Sequence, residues 1–219
     1  MATAKSVLKG ITPPYAARAA RTLLGSIFPR KRESTDQLFD GDDEKFKQFA
    51  TQAKIYFEYG CGKSTIWCSH NIKGKIFSVD TSKEWVQNVT RKSCSQNIPQ
   101  LSWVDCGAIG DWGTPSGYSL RNNFKEYILG PFKLTSDSPD LILIDGRFRV
   151  ACFLNSLLRS NPGTRIIFDD YTERPQYHVA EEFCEKPSFC GRQAIFTVPH
   201  AVSRDLIQQE LEKFSYVMG

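Results

Sequence analysis

Ile55-Tyr56-Phe57-Glu58-Tyr59-Gly60-Cys61-Gly62-Lys63-Ser64-Thr65 decides how the chain is read. A short β-prone run ends in an acid, turns on two glycines and leads into a helix that opens near Ser64. That order places backbone amides beside a ligand at the start of a helix. A phosphate-binding P-loop needs its first glycine where Phe57 stands, inside the strand, so Gly62-Lys63-Ser64 does not make one. The dinucleotide pattern G-x-G-x-x-G is met at Gly60 and Gly62, but Thr65 replaces the third glycine. Glu58 would repel a pyrophosphate and suits a cationic ligand. Asp80 follows Glu58 at about 20 residues, the separation at which an acid grips ribose hydroxyls in nucleoside sites.

Outward from this turn the rhythm repeats. Lys75–Asp80 reads as a second strand, Lys83–Cys94 as a helix, and Leu101–Asp105 as a third strand. A glycine-rich loop over Cys106–Tyr118 and a helix over Leu120–Leu129 follow. Asp140–Asp145 is a nearly all-apolar fourth strand, as buried parallel strands are. A helix at Phe148–Leu158, a fifth strand at Thr164–Phe168 closed by Asp169-Asp170, and a helix at Gln176–Cys184 come next. Gln193–Val198 reads as a sixth strand, Ser203–Lys213 as a helix and Phe214–Met218 as a last edge strand. This alternation predicts an α/β fold: a doubly wound, mostly parallel Rossmann-like sheet of about seven strands. Glu58, Asp80, Asp105, Asp145 and Asp169-Asp170 all close predicted strands, the edge where such sheets bind ligands.

The 219 residues fit one domain with a modest extension. Residues 1–52 read as a basic helical N-terminal extension and linker, with a helix at Tyr15–Phe28, and 53–219 as the ligand-binding domain. Lys5, Lys9, Arg18, Arg21, Arg30, Lys31 and Arg32 stand in an opening stretch without an acid. Two readings stay open there: a solvated basic face, or a segment that docks peripherally on anionic lipid or serves as a transit peptide. No apolar run approaches the roughly 20 residues that cross a bilayer. The 7 cysteines are odd in number and include no CxxC pair, which points to reduced thiols in the cytoplasm.

Phe57-Glu58-Tyr59-Gly60-Cys61-Gly62 resembles motif I of the class I S-adenosylmethionine-dependent methyltransferases, and Ser78-Val79-Asp80 resembles their motif II. S-adenosylmethionine carries a sulfonium and an ammonium but no phosphate, in keeping with Glu58. More narrowly, Glu58–Thr65, Asp111-Trp112-Gly113, Ile144-Asp145-Gly146-Arg147-Phe148-Arg149 and Asp169-Asp170-Tyr171 are similar to bacterial methyltransferase-like proteins associated with sugar and glycan modification. The resemblance implies that Gly60, Cys61 and Gly62 pass under the methionine part of the cofactor and that Glu58 sits near its ammonium. It implies ribose binding at Asp80, with Thr81 beside it, and an adenine edge at Asp105 and Cys106.

On the acceptor side, Asp145, Asp169 and Asp170 resemble the acids of metal-dependent sugar and catechol-type O-methyltransferases, so a shared Mg²⁺ is one expectation. The other is that Asp169 and Asp170 cap the next helix and pair with Arg147, Arg149 or Arg174. Asp145, His178 and Arg147 are the candidate catalytic residues, His178 as base and Arg147, together with Arg174, as a grip on an anionic or sugar acceptor, with ordinary ion pairing the alternative for both arginines. The loop at Trp112–Pro115 would close over it. O-methylation of a sugar, glycan precursor or small hydroxylated molecule is the leading expectation. A NAD-dependent oxidoreductase and a non-catalytic binding module are the alternatives, and self-association stays open. Nucleic acid is disfavoured as partner, because Asp145-Gly146-Arg147 stands where amino-directed enzymes carry a Pro-Pro-Tyr segment.

Overall fold

A computed structural model describes residues 37–219, of which Leu38–Gly219 form one compact unit. The expected Tyr15–Phe28 helix and the basic stretch lie outside the described residues. Among the described residues, no helix is long and apolar enough to cross a membrane.

The strands are β1 (Ile55–Tyr59), β2 (Lys75–Asp80), β3 (Gln100–Trp103), β4 (Leu141–Ile144), β5 (Arg165–Phe168), β6 (Ser188–Cys190) and β7 (Gln193–Thr197). They form one sheet in the order β3-β2-β1-β4-β5-β7-β6. The inner pairs are parallel, and β7 runs antiparallel to both β5 and β6. The helices are α1 (Glu44–Ala50), α2 (Lys63–Asn71), α3 (Lys83–Lys92), α4 (Phe124–Leu129), α5 (Arg149–Arg159) and α6 (Arg204–Phe214).

Successive side chains of a strand face opposite ways, and here both faces are covered. Phe57, Tyr59, Ile142, Ile144, Ile166 and Phe168 join the core shared with α4, α5 and α6. Tyr56, Ile76, Leu141, Leu143 and Ile167 join the second core with Cys68 of α2 and Ile72, which caps that helix. Phe39, Phe46 and Ala50, from the segment grouped with the extension in the sequence reading, are buried in that second core.

Three segments differ from expectation. Ser188–Cys190 is a strand that its sequence does not announce; it exists because the turn at Gly191, with φ +56°, folds it onto β7. Phe214–Met218 is not a strand. Phe214 ends α6, and beyond it Met218 packs on the core, with Phe148 N–H donating to the Met218 carbonyl at 3.3 Å. The expected helix at Gln176–Cys184 is a 3-10 turn over Pro175–Glu182.

Register gathers the strand ends. Tyr59 pairs with both Val79 and Ile144, Ile144 with Phe168, and Asp80 with Trp103. Gly60, Asp80, Asp145 and Asp169 therefore share one edge of the sheet.

Candidate active site at the strand ends

The glycine turn is held from two sides. Asp80 accepts Cys61 N–H at 3.0 Å through one carboxylate oxygen and Ser82 N–H at 2.8 Å through the other. The indole N–H of Trp85 donates to the Cys61 carbonyl at 2.6 Å. Burial raises the Asp80 carboxyl above its ordinary value, and the backbone donors at Ser82 and Cys61 oppose that. Gly60 has φ +90°, and an added Cβ would lie 2.6 Å from Gly146 Cα, so the turn packs backbone to backbone on the end of β4. Gly146 belongs to the site for this reason; its signal in the sequence is the Asp-Gly pair that ends β4.

Glu58 has a different task from the one expected. It is fully buried, and its two oxygens accept the hydroxyls of Ser64 and Thr65 in the first turn of α2. Thr65 Oγ1 accepts Gly62 N–H at 2.8 Å in turn. Thr65, which breaks the third-glycine pattern, is thus the link between Glu58 and the turn. Desolvation pushes the Glu58 carboxyl up from 4.5 to about 7, against the two hydroxyl bonds. The carboxylate that meets the glycine turn directly is that of Asp80.

This burial has a sign in pH. As pH rises above 4.5 the unfolded chain releases the Glu58 proton while the folded chain keeps it until about 7. Glu58 therefore favours folding fully below that window, and the contribution is lost as pH rises through it, by on the order of 3 kcal/mol. Glu58→Gln is expected to flatten this fall. Urea unfolding of both proteins at pH 5 and pH 8 checks it; parallel slopes would refute the buried acid.

Thr81 is buried and donates to the Gly113 carbonyl at 2.6 Å. This docks the glycine-rich loop, a small hairpin closed by an Ile109–Pro115 bridge, beside Asp80. Asp105 turns back to accept Gly107 N–H at 3.0 Å. Cys106 is buried, and desolvation raises its thiol to about 12. Cys61 is buried too, its thiol raised by desolvation and by Asp80. The non-glycine residues with left-handed φ, Trp112, Phe148 and Asp170, sit in the loops after β3, β4 and β5. Such strain concentrates at functional edges.

The acids after β4 and β5 are committed to arginines. Asp145, Asp169 and Asp170 offer oxygens within 4.8 Å of one another. Arg149 pairs with Asp145 and Asp170, each at 3.1 Å; Arg174 pairs with Asp170 at 2.7 Å; Arg192 pairs with Asp169 at 2.8 Å and Asp170 at 3.1 Å. Gln193 also donates to Asp169 at 3.0 Å. A divalent cation would have to enter among these guanidinium charges, so the cluster does not fit the expected Mg²⁺. The expected arginine pairing holds for Asp170 with Arg149 and Arg174, whereas Asp169 pairs with Arg192, outside that expectation, and among the described residues Arg147 pairs with none of the three acids. Asp145 is half-buried, and desolvation with the neighbouring Asp169 raises its carboxyl, against the pull of Arg149.

His178 is exposed. Its ring stacks on Tyr171 at 4.9 Å, with Nε2 3.3 Å from the Tyr171 carbonyl. Among the described residues, no hydrogen bond or ion pair joins it to Asp145 or Arg147. Arg147 extends from the Gly146 turn to Thr114 Oγ1 at 3.0 Å. A cavity of about 610 Å³ lies elsewhere, between α4, α5 and α6 beside the segment leading into β4, and includes none of these residues.

No family model and no curated protein matches the chain. Among solved structures it is similar to a methyltransferase-like protein from Silicibacter pomeroyi, with 27% identity and a TM-score of 0.71 over 80% of this chain and 93% of that one. An O-methyltransferase from Bacillus cereus in complex with SAH shares 15% identity at a TM-score of 0.47, over 89% of this chain and 94% of that one. The second likeness is too distant to carry a functional argument.

Proposed function

Starting from a chain that has the class I methyltransferase fold, we propose that it is an S-adenosylmethionine-dependent methyltransferase acting on a hydroxyl of a sugar, glycan precursor or other small molecule. The observation that carries this reading is the Asp80 carboxylate clamped to the Gly60–Gly62 turn. Each of its oxygens accepts one backbone N–H. Each therefore keeps a lone pair for the hydroxyls of a nucleoside ribose. A dinucleotide is supported less well, because its sheet follows the order 3-2-1-4-5-6, whereas here an antiparallel strand stands beside β5.

Bound S-adenosylmethionine would supply the methyl group on a sulfonium. Gly60, Cys61 and Gly62 would let the backbone approach it, with Glu58 acting at one remove by fixing the first turn of α2 through Ser64 and Thr65. Asp105 and Cys106, just past β3, would border the adenine. Asp145 is the base that the geometry favours. It is half-exposed at the strand end, its carboxyl is raised toward the range where general bases work, and Arg149 fixes its orientation. His178, stacked on Tyr171, is less suited. Most of the rate gain would come from holding the acceptor hydroxyl in line with the methyl group.

Asp80→Ala is expected to weaken S-adenosylhomocysteine binding by about 10- to 100-fold, the effect of losing a charged hydrogen-bond acceptor. Calorimetry measures this, and transfer of labelled methyl groups to a panel of sugars and phenols tests the reaction. Unchanged affinity in the variant would remove Asp80 from the site.

A further inference from the structure

We propose that Arg147 anchors an anionic group, a carboxylate or a phosphate, carried by the molecule that binds beside the glycine turn; calling that molecule the methyl acceptor rests on the function proposed above. The charges at this edge single Arg147 out. Asp145, Asp169 and Asp170 are matched by Arg149, Arg174 and Arg192, the last of which also reaches Asp40 at 3.6 Å. Arg147 is the surplus cation: among the described residues, no carboxylate pairs with it. Asp145, the nearest candidate, is turned to Arg149.

The surroundings of Arg147 make that surplus costly. It is half-buried, and its Nε is buried with no hydrogen-bond partner. Desolvation and the neighbouring Arg149 both disfavour its charge, while Tyr127, Tyr177 and Asp145 partly offset them. A buried guanidinium normally finds a carboxylate or phosphate that accepts two parallel N–H bonds. The one side-chain partner recorded here is the Thr114 hydroxyl at 3.0 Å, a neutral acceptor on the hairpin that docks over Thr81. Gly219, the last residue of the sequence, lies close by, since a Cβ built there would lie 3.6 Å from Nη1, but among the described residues its carboxylate forms no ion pair with Arg147.

Position completes the inference. Arg147 follows Gly146, whose backbone touches Gly60 of the glycine turn, and its own N–H donates to Tyr127 Oη at 3.1 Å. An anion held by Arg147 would thus be bound by a side chain that leaves the sheet edge directly after the contact with the glycine turn. Thr114 holds one arm of the guanidinium, and its hydroxyl competes with an entering carboxylate or phosphate for that N–H.

The test uses inorganic phosphate and acetate as separate probes, titrated into the full chain while the arginine Nε–H resonances are followed by NMR. The Arg147 signal is identified by its loss in Arg147→Gln. It is expected to shift on titration with at least one probe, and the probe that binds more tightly tells phosphate from carboxylate. Arg147→Gln should weaken binding by about 10-fold or more. Arg174→Gln, which removes a cation already paired to Asp170, should leave it unchanged. Thr114→Val, which removes the competing hydroxyl without touching the guanidinium, should tighten it, and keeps the test alive if Arg147→Gln folds poorly. Binding of neither probe, equal binding by Arg147→Gln, or weaker binding by Thr114→Val would overturn the proposal. S-adenosylhomocysteine is titrated into the same proteins. Its binding with no anion site leaves the methyl-transfer reading standing; an anion site without it does the reverse.

Discussion

Arg149→Ala is expected to destabilise the domain by about 3–5 kcal/mol, the range for removing one partner of a buried ion pair. Arg149 is 3% exposed and binds on every side. Its Nε donates to the Gly146 carbonyl at 2.9 Å, Nη1 to the Asp169 carbonyl at 2.7 Å, and Nη2 to Asp145 Oδ1 at 3.1 Å. Nη1 also lies 3.1 Å from Asp170 Oδ2. One planar group thus ties the ends of β4 and β5 to the first residue of α5. Without it, buried carbonyls lose their donor and the carboxylates repel one another. Lysine is expected to rescue little, because a single ammonium cannot reach acceptors spread around a guanidinium plane. Arg174→Ala is the comparison. That side chain is 37% exposed, and exposed pairs are worth about 1 kcal/mol or less. Urea unfolding of the three variants measures the difference, and a cost for Arg149→Ala no larger than for Arg174→Ala would contradict this account of the edge.

Gly146→Ala is expected to cost up to about 3 kcal/mol, the upper end for overpacking a close-packed interior. The new Cβ would lie 2.0 Å from Tyr127 Oη, 2.8 Å from Gly60 N and 2.9 Å from the Tyr59 carbonyl carbon. Tyr127 is buried and cannot swing away freely, so the glycine turn must move. S-adenosylhomocysteine binding should therefore suffer as well. A Tyr127→Phe background removes the nearest atom and should soften the stability loss, which makes the two substitutions non-additive. Additive effects, read from thermal unfolding of the single and double variants, would show that the clash is relieved elsewhere.

Much of the fold was legible because both periodicities are clear. β4 is a continuous apolar run buried on both faces, and the acids near the end of β1, at the end of β2 and just after β4 and β5 marked the ends that register then brought together. Less was legible where neighbours decide. Ser188–Cys190 is a strand only because β7 lies beside it. Phe214–Met218 has the composition of a strand, but Phe214 ends α6, Met218 packs on the core, Tyr216 and Val217 are exposed, and the segment joins no strand. Glu58 looked like an acid facing a ligand; that it turns inward to Ser64 and Thr65 depends on the start of α2, which spacing alone does not orient. The acids after β4 and β5 suggested a cation, and the cations they found are arginines drawn from three separate segments. Arg149 is near in sequence, but Arg192 arrives only through the β6–β7 hairpin.

The most direct test of the central claim is calorimetric titration of the chain with S-adenosylhomocysteine and, separately, with NAD. The account predicts saturable one-to-one binding of S-adenosylhomocysteine that Asp80→Ala weakens, and no comparable binding of NAD. Saturable binding of NAD without binding of S-adenosylhomocysteine would contradict it.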